Sequence, residues 1–306
     1  MKLLKQLRER LEIPRSIKVR FPKLILVSVL VSLTVPCLVG KTEDNPQPTT
    51  SSVRSNKMTL QNKSEPIFES GAIIRGPRDK KWIALEFTGG YYADGGTTIL
   101  NQLSKRGIKA SFFFIGDFYR NPQFANLIER IRDEGHYLGP HSDKHPLYAT
   151  WEKPPKLLIS REEFHADLEN NMKEIEKFGI PREKAKVFIP PYEHYTEEIA
   201  QWTKERGMLL INYTPGTRSN ADYMEDDDKN FVSSPEMVRS ILEYEKKDPD
   251  GLNGFLLLMH VGAGPKRTKD HLYDYLGNLL DELTRRGYTF VRVDEMLRPW
   301  IPPSEK

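Results

Sequence analysis

Cysteine is nearly absent from this chain: there is one, Cys37, in 306 residues. Without a second thiol no intramolecular disulfide can staple the fold and no thiolate cluster can hold a metal. Any bound cation must therefore be taken by nitrogen and oxygen donors. Long apolar runs are also missing, apart from one near the start, and 29% charged residues against 38% hydrophobic ones exclude a multi-span membrane protein. Neither sign of charge dominates. The net charge is +3, and its basic excess gathers between Lys2 and Lys23 rather than along the body of the chain, which is no nucleic-acid footprint. Gly262-Ala-Gly-Pro-Lys-Arg267 resembles a phosphate-cradling loop only superficially, because no strand–loop–helix carries Gly-Lys-Ser/Thr, and no nucleotide site is expected. No internal repeat is visible.

The exception is the 16-residue stretch Leu24 to Val39, which follows the basic segment. It is long for the apolar region of an export signal and short of the ~20 residues that comfortably span a bilayer, so both a signal peptide and a signal anchor fit. Its positive flank should stay cytoplasmic. Cys37 near the end of this stretch raises a lipoprotein reading, which Pro36 directly before it suits poorly. Each alternative puts the rest of the chain outside the cytoplasm, at the bacterial cell envelope or secreted, with membrane contact only through the N-terminal segment. Residues 41–64, rich in Thr, Ser, Asn, Gln, Pro and Lys, cannot repay ordering entropy and are expected to form a flexible linker. The organisation expected is residues 1–40 as basic region plus signal or anchor, 41–64 as linker, and 65–306 as one domain.

From Trp82 onward apolar runs alternate with segments of helical period. Strands are expected at Trp82–Phe87, Ala110–Ile115, Tyr137–Pro140, Val187–Ile189, Met208–Asn212, Phe255–His260 and Tyr288–Val293. Helices are expected at Thr97–Lys105, Asn121–Asp133, Glu162–Phe178, Glu197–Arg206, Pro235–Lys246 and Asp270–Arg286. About seven such alternations favour an α/β fold built on a parallel, barrel-like sheet, with its site at the C-terminal strand ends; an open doubly wound sheet is the other solution.

Three segments in that frame can carry chemistry. His141-Ser-Asp-Lys-His145 spaces two imidazoles as one helical turn would, so that both can grip a single divalent cation; they can equally serve as hydrogen-bonding residues of a surface loop. His260 ends the most apolar strand of the C-terminal half, where active sites of α/β proteins gather. Between them Ile189-Pro-Pro-Tyr-Glu193 stops a short strand with two prolines and can form a wall.

Taken together these segments resemble the polysaccharide deacetylases, the NodB-like carbohydrate esterase family 4, over about Ile73 to Met296. The resemblance implies a distorted (β/α) barrel. The family's His-x-x-x-His metal pair is intact as His141 and His145, its Arg-x-Pro-aromatic wall stands as Ile189-Pro-Pro-Tyr192, and its late Leu-x-His strand end lies within Leu257 to His260. The first motif departs. Where the family has Thr-Phe-Asp-Asp-Gly, with one aspartate as general base and the next as third metal ligand, this chain has Glu86-Phe-Thr-Gly-Gly90. Thr88 and Gly89 occupy the two carboxylate positions, and Ile189 replaces the arginine that holds the base. That last loss is coherent, since a buried guanidinium without its carboxylate is unfavourable.

Two readings follow. In the first the enzyme works with relocated carboxylates: Glu86, on the same side of its strand as Thr88, as base; Asp94 in the glycine-rich loop, or Glu193, near the metal; His260 as the acid that protonates the leaving group; and Tyr192, Glu193 and Arg218 toward substrate. The resemblance implies a divalent cation, zinc foremost with cobalt or manganese as alternatives, and removal of N- or O-acetyl groups from an acetylated polysaccharide. In the second reading catalysis has been lost and the chain binds carbohydrate, with Tyr91, Tyr92, Tyr192, Tyr195 and Trp202 as stacking surfaces. The loop Thr214 to Asp222 is either a connector or a site loop in which Arg218 or Asp222 orients His260.

Overall fold

The computed structural model describes residues 62–303. The expectations for the basic segment, the apolar stretch, Cys37 and most of the linker lie outside the described residues. Nine strands occur among the described residues: β1 (Ile67–Glu69), β2 (Ala72–Arg75), β3 (Trp82–Gly89), β4 (Ser111–Phe114), β5 (Tyr137–Pro140), β6 (Val187–Phe188), β7 (Leu209–Leu210), β8 (Phe255–His260) and β9 (Thr289–Phe290). β1 and β2 form an antiparallel hairpin whose two turn residues, Ser70 and Gly71, both have positive φ, as a turn matched to strand twist requires. The other seven pair only in parallel.

The main sheet runs β5-β4-β3-β8, while β9 pairs with the start of β3, ahead of the residues that pair with β4. β6 and β7 form a separate pair. Single backbone bonds complete the ring: Ile189 to Pro140, Asn212 to Ile73, and Gly76 to Gly254. A barrel closed at several seams by isolated bonds is the distorted form expected. Helices α1 (Gly96–Lys105), α2 (Gly116–Arg120), α3 (Ala125–Asp133), α4 (Arg161–Glu176), α5 (Glu197–Glu205), α6 (Ser234–Lys247), α7 (Leu272–Arg285) and α8 (Val293–Met296) follow or precede the strands.

Three expected boundaries are corrected. The strand expected to reach Val293 ends at Phe290, and Val293 opens α8 instead. Met208–Asn212 is a strand at only two residues. The helix expected from Asn121 starts as a 3₁₀ turn, Pro122–Phe124, because the Asn121 side chain accepts the Gln123 N–H at 3.0 Å and Pro122 fixes its own φ.

Strand alternation sorts the core. Ile83, Leu85 and Phe87 of β3 face the helices with Ile99, Leu100 and Leu103 of α1, and Phe87 stacks on Phe112 at 5.1 Å. Ala84 faces the barrel interior with Leu256, Leu258 and Phe113. Glu86 and Thr88 continue that inner row upward, so alternation aims two polar groups into the barrel at its C-terminal end.

His136 sits below β5 with its side chain buried. Its Nδ1 accepts the Ala110 N–H at 3.0 Å. Burial, aided by the charge of Lys109, pushes its pKa down to about 4. Because the folded value lies below the unfolded one of about 6.5, the unfolded chain takes up a proton first. The stabilisation present above pH 6.5 is then lost as pH falls toward 4, by on the order of 3 kcal/mol. Urea titrations at pH 7 and pH 4.5 should show a smaller acid loss in His136→Asn, which keeps an acceptor near the Nδ1 position; equal losses would remove His136 from the acid response.

Candidate active site at the C-terminal mouth of the barrel

β5 delivers His141, and the segment that follows is a loop rather than the helical turn suggested by the spacing. Ser142 (φ 74) and His145 (φ 55) are both left-handed, and Pro146 follows directly. The loop is fixed from several sides. His145 N–H donates to Ser142 Oγ at 2.9 Å, the N–H groups of Asp143 and Lys144 donate to the Asp167 carboxylate at 3.1 and 3.3 Å, and Arg120 pairs with Asp143 at 2.7 Å. Asn171 on α4 accepts the His141 N–H at 2.9 Å and donates to the Phe114 carbonyl at 3.2 Å, joining the strand ends to the helix. Sequence reasoning missed Asn171. Its signal was an amide in the apolar stripe formed by Phe164, Leu168, Met172 and Ile175.

The two imidazole centroids end up 5.1 Å apart. His141 Nδ1–H donates to the Ile189 carbonyl at 2.9 Å, which leaves Nε2 as a lone pair. Burial, reinforced by the neighbouring His145, holds the His141 pKa well below its ordinary value; burial, then His260, brings His145 to about 4. Both rings are neutral at neutral pH, the form that ligates metal. No hydrogen bond among the described residues engages the His145 ring, which packs on Tyr192 with centroids 4.3 Å apart.

His260 ends β8 in register with Thr88 of β3. Asp222 grips it twice: Oδ1 accepts from the His260 Nδ1–H at 2.7 Å and Oδ2 from its backbone N–H at 2.8 Å. The Tyr223 ring lies edge-on to the imidazole at 4.8 Å. Burial opposes a charge on His260, but the Asp222 carboxylate, with Glu193 behind it, outweighs burial and raises the pKa above the usual imidazole value. Of the two readings of the loop before it, the structure selects the site loop, with Asp222 as orienting residue. Arg218 is exposed, and its backbone N–H donates to Ser240 on α6 at 3.1 Å.

On the wall, Ile189 is fully buried. Tyr192 (φ 59) and Glu193 (φ 51) are consecutive left-handed residues without glycine. This conformation turns the Glu193 carboxylate inward, 4.0 Å from His141 Nε2. Burial raises its pKa to about 7, against the lowering effect of His260.

Glu86 is completely buried, and neither of its oxygens has a hydrogen-bond partner; nor does Thr88 Oγ1. Burial, with Glu193 nearby, holds its pKa well above the carboxylate range. Gly89 has no room for a side chain: a Cβ there would lie 2.7 Å from both Phe114 and Val261. The position at which the resemblance puts a metal-binding carboxylate is thus filled by core packing.

Asp94 is engaged elsewhere. Its Oδ1 accepts the N–H groups of Ala263 and Gly264, each at 3.1 Å, and its Oδ2 accepts from Tyr273 at 3.3 Å. It thereby ties the loop after β3 to the loop after β8, beside a groove of about 740 Å³ lined by Tyr91, Tyr92, Phe124, His271 and Tyr273. Of the expected stacking surfaces, Tyr91 (67% exposed), Tyr92 and Tyr192 are open. Trp202 packs against the core beside Phe164, and the Tyr195 hydroxyl donates to the Glu69 carbonyl. Trp151 and Tyr223, which sequence reasoning did not select, are exposed as well.

No three His, Cys, Asp or Glu side chains form a ready metal cage among the described residues. The donor chemistry nevertheless fits a divalent ion. Two imidazoles on one tetrahedral ion, with nitrogens about 2.0–2.1 Å from it, have centroids roughly 5 Å apart, close to the separation here. Both rings are neutral, and a carboxylate stands beside them.

A distorted parallel barrel thus holds paired histidines facing a carboxylate-held histidine at its C-terminal mouth, and known proteins share its fold. The polysaccharide deacetylase family model matches residues 75–211. A peptidoglycan-N-acetylglucosamine deacetylase of Bacillus cereus is 25% identical over 227 residues, covering 73% of this chain and 70% of that one. A crystal structure of a peptidoglycan N-acetylglucosamine deacetylase superposes with a TM-score of 0.60 at 21% identity, over 75% of this chain and 94% of that one. A carbohydrate esterase family 4 pseudoenzyme from Bacillus anthracis superposes with a TM-score of 0.56 at 21% identity, over 75% of this chain and 70% of that one. A mutant of that pseudoenzyme is described as having restored enzymatic activity. Over residues 75–211 the chain is thus similar to the polysaccharide deacetylases, and it has Thr88 and Gly89 where the resemblance puts the two carboxylates of the first motif.

Proposed function

We propose that this protein removes acetyl groups from an acetylated polysaccharide of the cell envelope, with a divalent metal, zinc foremost, at His141 and His145 and with His260 as general acid. The observation that carries the reading is the opposition of two paired imidazoles to a histidine gripped by the Asp222 carboxylate, which raises its pKa, across one mouth. When bound, the metal supplies Lewis acidity toward the acetyl carbonyl and the attacking water. Asp222 orients His260 so that, when protonated, the ring edge away from Asp222 can deliver a proton to the departing nitrogen or oxygen. Glu86 can accept a proton only when ionised, a state that burial disfavours and a nearby cation favours. Tyr192, Trp151 and Tyr223 present exposed faces suited to pyranose rings, and Tyr91 and Tyr92 extend that surface along the adjoining groove.

The peptidoglycan relatives make an N-acetylated amino sugar the first substrate class to test, and the basic-then-apolar N-terminus supports export to the envelope. The test is acetate release by the full chain, supplied with zinc, from N-acetylglucosamine oligomers and from acetylated peptidoglycan. Release above the uncatalysed rate is expected, and none from any of these with one equivalent of zinc bound would overturn the reading. A carbohydrate-binding protein without catalysis is the second reading. It is favoured by Thr88 and Gly89 at the carboxylate positions and by the packing that closes over Gly89.

A further inference from the structure

We infer that Glu193 supplies the carboxylate missing from the end of β3, completing with His141 and His145 the donor set for the metal. This rests on the metal-dependent reading above and names a residue of that site which the family's motifs do not provide.

Four observations converge on it. First, Tyr192 and Glu193 are both held at positive φ, 59° and 51°. Each such non-glycine residue is strained, and strain of this kind persists where the surroundings over-determine it. Here the surroundings do so: Glu193 N–H donates to the Pro190 carbonyl at 3.0 Å, and the Glu193 carbonyl accepts from Asn212 Nδ2 at 2.8 Å.

Second, the strained turn delivers a carboxylate into the barrel mouth with only 14% of its side chain exposed, and no arginine or lysine among the described residues pairs with it. A buried carboxylate is unfavourable unless it is protonated or faces a positive charge, and a coordinated cation would hold this one ionised. Third, its Oε1 is 4.0 Å from the lone pair of His141 Nε2, and His145 packs against Tyr192 of the same turn. Donors sharing one tetrahedral ion stand roughly 3.3 Å apart, so a shift of less than about 1 Å brings the Glu193 and His141 donors to that spacing. Fourth, the alternatives are spent or distant from this role. The Asp94 carboxylate is taken by two backbone N–H groups and a tyrosine, and Gly89 admits no side chain.

The test is zinc and cobalt titration of the full chain and its variants, read by calorimetric affinity and by the visible absorption of bound cobalt. Wild type should bind about one equivalent. Glu193→Gln should weaken binding by roughly 100-fold or more and alter the cobalt spectrum, whereas Asp94→Asn should stay within a few-fold of wild type. Glu193→Gly separates ligation from folding, because glycine relaxes a positive-φ position. It should match or exceed the thermal stability of the metal-free wild type and still lose affinity. Wild-type affinity and spectrum in both Glu193 variants would overturn the inference while leaving the metal-dependent reading standing. No binding of zinc, cobalt or manganese by wild type would overturn both.

Discussion

Replacing His260 with alanine should lower turnover of an acetylated sugar oligomer by roughly 10²- to 10⁴-fold with metal affinity unchanged. The expectation follows from its place at the end of β8, beside Thr88, with Nδ1–H bound to Asp222 and the opposite ring edge free to face substrate. A general acid must be protonated, so the rate should fall as pH rises through the His260 pKa. Burial alone would bring that fall to low pH; the Asp222 carboxylate moves it above the ordinary imidazole value. Asp222→Asn should therefore shift the basic limb of the kcat profile to lower pH, since the raising charge is gone and the desolvation remains. An unchanged rate in His260→Ala, or an unmoved limb in Asp222→Asn, would take His260 out of the acid role. Because His260→Ala leaves Asp222 buried without its partner, a thermal melt of each variant should accompany the kinetics.

The second large effect belongs to the histidine pair. The His141→Ala/His145→Ala variant should lose zinc affinity by more than about 10³-fold, since even partners that only orient a ligand are worth about 10- to 100-fold. Zinc at 100 times its Kd should stabilise the wild-type fold by about 2.7 kcal/mol, which for a domain of this size raises Tm by roughly 5–10 °C. The double variant should show no such rise. The same Tm rise in both proteins would mean that the histidines hold hydrogen bonds and not a metal.

Much of the architecture was legible along the chain. Phe255-Leu-Leu-Leu-Met-His260 reads as a strand buried on both faces and is one, with every residue before His260 buried. The apolar stripe of α4 and the capping box of Ser160 and Glu163 mark that helix without reference to the rest of the molecule. Short-range physics governs these elements: period, caps and turn residues are local. The two-residue strands β6, β7 and β9 are different. Their extent depends on how far a neighbour follows them, so β9 ends where Val293 N–H turns to Ser111 Oγ and α8 begins.

For the site, residue types and order along the chain identified His141, His145 and His260 as candidates, because polar residues at the ends of apolar strands are rare and their strands are local. The alternation of β3 likewise put Glu86 on the inner side with Thr88. What the chain alone left open were contacts between residues far apart in sequence. Whether Asp222 reaches His260, 38 positions away, depends on where the loop before α6, with its 3₁₀ turn at Ser219–Ala221, settles on β8. Whether Asp94 faces the metal pair or ties two loops together was decided by the N–H groups of Ala263 and Gly264, 169 and 170 positions later. The inward turn of Glu193 came from a left-handed pair of residues that sequence statistics disfavour and that only tertiary packing can sustain. Local propensity and periodicity thus sufficed for the longer strands and the helices and marked the histidines as candidates. The choice of carboxylate went to the tertiary structure, because burial, strain and long-range hydrogen bonds are properties of the assembled barrel and not of any segment within it.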